Sequence, residues 1–192
     1  MPPPEAAGEA LPLNDLFAAE LREAADPEEQ GVSLFDAAQT WLDRGGKRYQ
    51  LEELAVEFYR RHASASGAVQ AAVAGLPFRV YLDTRFDDSL EQALEAAGRS
   101  PQVGYYYSHE QVPCDLAEAT EDRPLVYKLF GSLEDPRSLV LGEVDLLRFM
   151  ESVVTGTPPL PAMIEGLLRG EDNAFLFLGF GFHQWHVRLL LY

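Results

Sequence analysis

Three short runs rich in β-formers, Phe78 to Leu82, Val103 to Tyr107 and Leu125 to Leu129, set the strongest constraint on this chain. The first two flank a helical pattern at Asp88 to Ala97, ended by Gly98, and further helical patterns follow the third at Glu143 to Ser152 and Ala162 to Leu168. A continuous apolar run at Ala174 to Leu178 reads as another strand, with a final helix at Phe182 to Leu190. Strands interleaved with helices pair in parallel, because the crossover carries the chain back to the same end of the sheet. The fold class expected is therefore α/β, a mainly parallel sheet with helices on both faces.

The first third is helical and reads as an appended N-terminal layer. Asn14 is placed to cap a helix running to about Ala25, with Leu16, Phe17 and Leu21 on one face. Ser33 followed by Asp36 has the spacing of a capping box and opens a helix through Trp41 and Leu42, which Gly45-Gly46 stops. Gln50 to His62 carries Leu51, Leu54, Ala55, Phe58 and Tyr59 at helical spacing, and Ala68 to Ala74 forms a short fourth helix. Residues 1–10 are rich in proline and alanine and are expected to be a disordered tail, leaving 11–192 as a single domain.

Composition narrows the function. The chain has 192 residues, 47% of them hydrophobic, enough for a proper core. Its formal charge is −16, from 15 basic residues against 31 acidic ones, so a nucleic-acid surface, which needs clustered cations, is not expected. The acidic doublets read as solvated turns and helix starts rather than a metal cage. Cys114 is the single cysteine, next to Asp115, which disfavours a thiolate nucleophile and excludes an internal disulfide. His183 and His186 stand three apart without an apparent third ligand, so no metal site is expected. No run is long and apolar enough to span a bilayer, and the N-terminus lacks the pattern of a signal peptide; the cytoplasm is the expected location.

Three segments carry chemistry. Val80-Tyr81-Leu82-Asp83-Thr84-Arg85-Phe86-Asp87-Asp88 ends a strand and opens a helix, where ligands sit in open α/β sheets. Lys128-Leu129-Phe130-Gly131-Ser132-Leu133-Glu134-Asp135-Pro136 runs from a strand into a glycine turn. Phe175 to Arg188 is a strand, a turn at Gly179 and Gly181, and a helix. From the residues alone, the first reads as an ordinary helix start with Asp87 as cap, Phe130 as a core aromatic, and the two glycines as a tight turn with close packing.

Together the three resemble the sirtuin-like NAD-hydrolysing domains found in bacterial defence, which implies a Rossmann-like sheet. That family has threonine, asparagine, an aromatic and aspartate in the first segment; here Thr84, Phe86 and Asp87 match and Arg85 replaces the asparagine that positions ribose and water. Its general base, a histidine, is replaced by Phe130, which cannot take a proton. The resemblance covers about Leu11 to Leu191 and lacks the opening strand and glycine-rich phosphate loop. It implies a remnant cofactor site at Thr84, Arg85, Asp87, Gly179 and Gly181. The expectation is a catalytically inactive domain, a pseudoenzyme without cofactor. It would serve as a structural or regulatory subunit bound to other chains, as homo- or hetero-oligomer, in a larger bacterial assembly such as an anti-phage system. The alternative is a sensor of NAD or ADP-ribose, or a hydrolase whose site a partner chain completes, with Arg85 on a phosphate.

Overall fold

The computed structural model describes residues 12–25, 33–62, 67–112, 116–170, 172–179 and 188. They gather into two compact units, Met1–His62 with Leu141–Glu143, and Ala63–Val140 with Val144–Tyr192.

The first unit holds α1 (Leu13–Ala25), α2 (Leu34–Asp43) and α3 (Arg48–Arg61). Phe17 stacks on Phe58 at 4.8 Å and meets the edge of Tyr59 at 5.7 Å, and these rings with Leu21, Leu51 and Ala55 form the buried interior. The capping box at α2 forms as its spacing predicts: the Ser33 Oγ accepts from the Asp36 N–H, and the Asp36 carboxylate accepts from the Ser33 N–H. Gly45, at φ +100°, follows the end of α2. Asn14 departs from expectation. α1 begins one residue earlier, and the Asn14 Oδ1 accepts from the Tyr59 hydroxyl at 2.6 Å, so a tertiary partner takes the side chain that the cap would have used.

The second unit is the α/β part. β1 (Val80–Asp83), β2 (Gln102–Tyr105) and β3 (Leu125–Lys128) form a parallel sheet in the order β1-β3-β2. The registers place Asp83 beside Lys128, and Tyr105 on the other side of Lys128. β3 is central, and all four of its residues are buried, as an interior parallel strand covered on both faces requires, with Lys128 the one charge among them. α4 (Ala68–Ala74) and α5 (Ser89–Ala96) pack with it through Ala74, Ala93 and Leu94 against Tyr81 and Val126. After β3 come a 3-10 turn at Pro136–Ser138, α6 (Glu143–Thr155) and α7 (Ala162–Arg169). This is a mixed α/β, Rossmann-like arrangement.

At the amino end of the sheet, Arg99 acts as a pin. Its Nη1 donates to the carbonyls of Ala74 and Leu76 and to the Tyr81 hydroxyl, its Nη2 to the Phe78 carbonyl, and its Nε to the Glu121 carbonyl. One guanidinium thus closes the segments that lead into β1, β2 and β3.

The run Ala174 to Leu178 is not a strand. It is irregular, and Phe175, Leu176, Phe177 and Leu178 are exposed. An apolar run becomes a strand only beside a ladder partner, and none of the three described strands pairs with it. The predicted helix Phe182 to Leu190 lies, but for residue 188, outside the described residues.

Candidate functional site

The carboxyl ends of β1 and β3 lie side by side, because the ladder continues from the Leu129 N–H to the Asp83 carbonyl at 2.7 Å. The loops that leave them carry the two segments singled out in the sequence. In the first, Arg85 grips Asp87: its Nε and Nη2 donate to Asp87 Oδ2 at 3.0 and 2.6 Å. The other carboxylate oxygen, Oδ1, accepts from the Ser89 N–H at the start of α5, so Asp87 closes the helix start from one position before the N-cap, which is Asp88. Asp87 is buried and Arg85 is 40% exposed at its side chain. Burial raises the Asp87 carboxyl, but the adjoining Ser89 and Arg85 outweigh it and hold the group below the usual carboxylate range. The Ser89 hydroxyl lies beside that carboxylate without hydrogen-bond geometry, and has no partner among the described residues.

Beneath this loop lies a buried charge. Lys128, the last residue of β3, pairs with Glu91 Oε1 of α5 at 2.8 Å and donates to the Asp87 carbonyl at 2.5 Å. Glu91 Oε2 is buried and has no hydrogen-bond partner among the described residues. Asp83, the last residue of β1, accepts the Arg85 N–H at 2.9 Å. Burial pushes its carboxyl up to about 6, against the opposing pull of Lys128. Three carboxyls therefore share the sheet end with two cations, and the cluster is neutral or singly negative according to whether Asp83 holds a proton.

That raised carboxyl has a signature in stability. A group whose folded value lies above its unfolded one stabilises fully below the unfolded value of 3.8 and loses that contribution as pH rises through about 6. Asp83→Asn should accordingly gain on the wild type between about pH 4 and about pH 6, by at most about 3 kcal/mol. Denaturant midpoints of both proteins across that window measure it, and the comparison cancels the repulsion among the chain's other acids. Parallel midpoints would remove the claim.

Phe130 belongs to the interior. Its ring meets Phe149 of α6 edge to face at 5.1 Å. The turn after it is tightly specified: Gly131 has φ +90°, and a Cβ there would lie 2.3 Å from the Ser138 carbonyl oxygen. Ser138 Oγ accepts the Ser132 N–H and donates to the Asp135 carbonyl, and the Val140 N–H returns to the Phe130 carbonyl. Thr84 sits half-buried between Asp83 and Arg85. Gly179 has φ +70° with nothing near a Cβ, so its backbone angle, not close packing, calls for glycine. Gly181, Cys114, His183 and His186 lie outside the described residues. At the end of β2 is a cavity of about 310 Å³ walled by Tyr105, Tyr106, Tyr107, Tyr127, Glu110 and Pro158.

The model of the SIR2-like domain matches residues 79–192, from the start of β1 onward and over more than half of the chain. The chain belongs to the SIR2-like domain family. Two similar proteins are both named NAD(+) hydrolase ThsA. That of Enterococcus faecium is 26% identical over 152 residues, 78% of this chain and 29% of the relative. That of Cytobacillus dafuensis is 25% identical over 177 residues, 89% of this chain and 33% of the relative. The chain thus spans about a third of the length of these relatives.

The names of these relatives correct one expectation. Arg85, Phe130 and the lack of a phosphate loop point to a pseudoenzyme, whereas both similar proteins are named as hydrolases. The physical flaw was to equate loss of one base with loss of all proton acceptors. Asp83, Lys128 and Glu91, which sequence reasoning did not single out, put ionisable groups at the same sheet end. The available signal was a lysine closing an otherwise apolar strand, which demands a buried counter-ion.

Proposed function

We propose that this chain is the nucleotide-handling part of a SIR2-like enzyme of bacterial defence that hydrolyses the bond between nicotinamide and ribose in NAD. The observation that carries the reading is the charge cluster at the carboxyl ends of β1 and β3. Nicotinamide in NAD is cationic, and breaking its bond to ribose spreads positive charge onto the sugar. A partly buried group of three carboxyls against two cations is electrostatically suited to that charge. Asp87 stays ionised at neutral pH, and Arg85, half-exposed above it, offers a guanidinium to the phosphates. The tyrosine-walled cavity is large enough for one ring of the dinucleotide. The similar proteins named as NAD(+) hydrolases point the same way.

The test is nicotinamide release from NAD by the full chain in its native assembly. Asp87→Asn should lower the rate by roughly a hundredfold or more, as losses of a preorganised charge do, and calorimetry should still detect NAD. A protein that neither binds NAD nor releases nicotinamide would end this reading.

A further inference from the structure

Hydrolysis needs a group to accept a proton from the attacking water, and Phe130 cannot be that group. Resting on the NAD-hydrolase reading, we propose that Asp83 is the proton acceptor of this chain. The candidates are the carboxyl groups near the described strand ends that are not exposed to solvent, as Asp88, Glu110 and Glu134 are. Asp87 has both oxygens engaged, Oδ2 by Arg85 and Oδ1 by the Ser89 N–H. Glu91 is paired with Lys128 and sealed from solvent at 7% exposure. Asp135 is held by Nε and Nη2 of Arg137 and approached by the Tyr105 hydroxyl. Asp83 differs from all three. It accepts one backbone hydrogen bond, from Arg85, makes no ion pair among the described residues, and keeps part of its surface open. It also adjoins Thr84 at the end of the sheet where ligands bind in this class of fold.

The charged groups around it are Lys128 on β3, Glu91 on α5 and Arg85 in its own loop. Lys128 favours its ionised form, while Glu91 and burial disfavour it, and the balance near 6 suits a base working at neutral pH. In the step proposed, the water oxygen bonds to the anomeric carbon of the nicotinamide ribose. The bond from that carbon to the ring nitrogen breaks, and its electron pair goes to the pyridinium, which leaves as neutral nicotinamide. The water proton passes to the Asp83 carboxylate and from there to solvent. The products are ADP-ribose, nicotinamide and a proton.

Asp83→Asn is the decisive variant, studied in the full chain with NAD. Its turnover should fall by about a hundredfold or more, while the dissociation constant for NAD, measured by calorimetry, moves by less than about threefold. The wild-type rate should rise through about pH 6 and the residual rate of the variant should not. In the wild type, the labelled Asp83 carboxyl carbon should titrate near 6 by NMR, with its midpoint displaced by ADP-ribose. A variant that keeps most of its turnover, or a wild-type rate without a rise in that range, overturns the role of Asp83 and leaves NAD hydrolysis standing. Wild type that binds NAD without releasing nicotinamide overturns the proton transfer and retains the binding site. Absence of NAD binding removes the underlying reading instead.

Discussion

Lys128→Met should lower the unfolding free energy by about 3–5 kcal/mol, the cost of leaving a buried carboxylate without its counter-ion. Glu91 has nothing to replace the lysine, since its second oxygen is already unpartnered among the described residues. The loop loses as well, because Lys128 Nζ also holds the Asp87 carbonyl. Pairing the change with Glu91→Leu should recover most of the loss, because an apolar pair of similar volume removes the stranded charge. Denaturant unfolding of the two single variants and the double variant gives the coupling directly. A double variant no better than Lys128→Met would show that the ion pair is not what the lysine contributes.

Gly131→Ala should be nearly as damaging, at about 3 kcal/mol or more, and for two separable reasons. The φ of +90° is costly for any residue with a Cβ, by about 1–2 kcal/mol. The new methyl would also lie 2.3 Å from a backbone oxygen of Ser138 that cannot move without opening the turn. Gly45→Ala isolates the first cost: its φ is +100°, but nothing lies within 4 Å of the added carbon. Thermal or chemical unfolding should therefore separate the two variants clearly. Equal losses would mean that backbone angle alone governs both positions.

Much of this arrangement was readable from residue order. The capping box of α2, the bounds of α4 and the three strands follow from local chemistry that tertiary packing leaves unopposed. The apolar run from Ala174 to Leu178 did not follow, because apolar content fixes neither a ladder partner nor burial. Asn14 failed for a related reason: a hydroxyl 45 positions away competes for the amide, and separation along the chain hides it. At the site, Thr84, Arg85 and Asp87 were visible as a motif. The lysine beneath them was not, because parallel pairing brings Asp83 and Lys128 together from positions far apart in sequence. Phe130 was legible as a core aromatic, but not its partner Phe149.

The pin formed by Arg99 gives the sheet two ends of unlike freedom. Where the chain enters the strands, one side chain stitches carbonyls from separate segments, so a change there is felt by all three strands. Where it leaves them, local contacts, Asp87 on the helix start and Ser138 on the glycine turn, are joined by a tie between loops, from Lys128 to the Asp87 carbonyl. An exchange at the exits is therefore tolerated only where it spares Lys128, Asp87 and the Gly131 turn. Arg85 and Phe130 both lie at that exit rim. One rim is thus closed by a single guanidinium and the opposite rim by paired charge and a glycine turn.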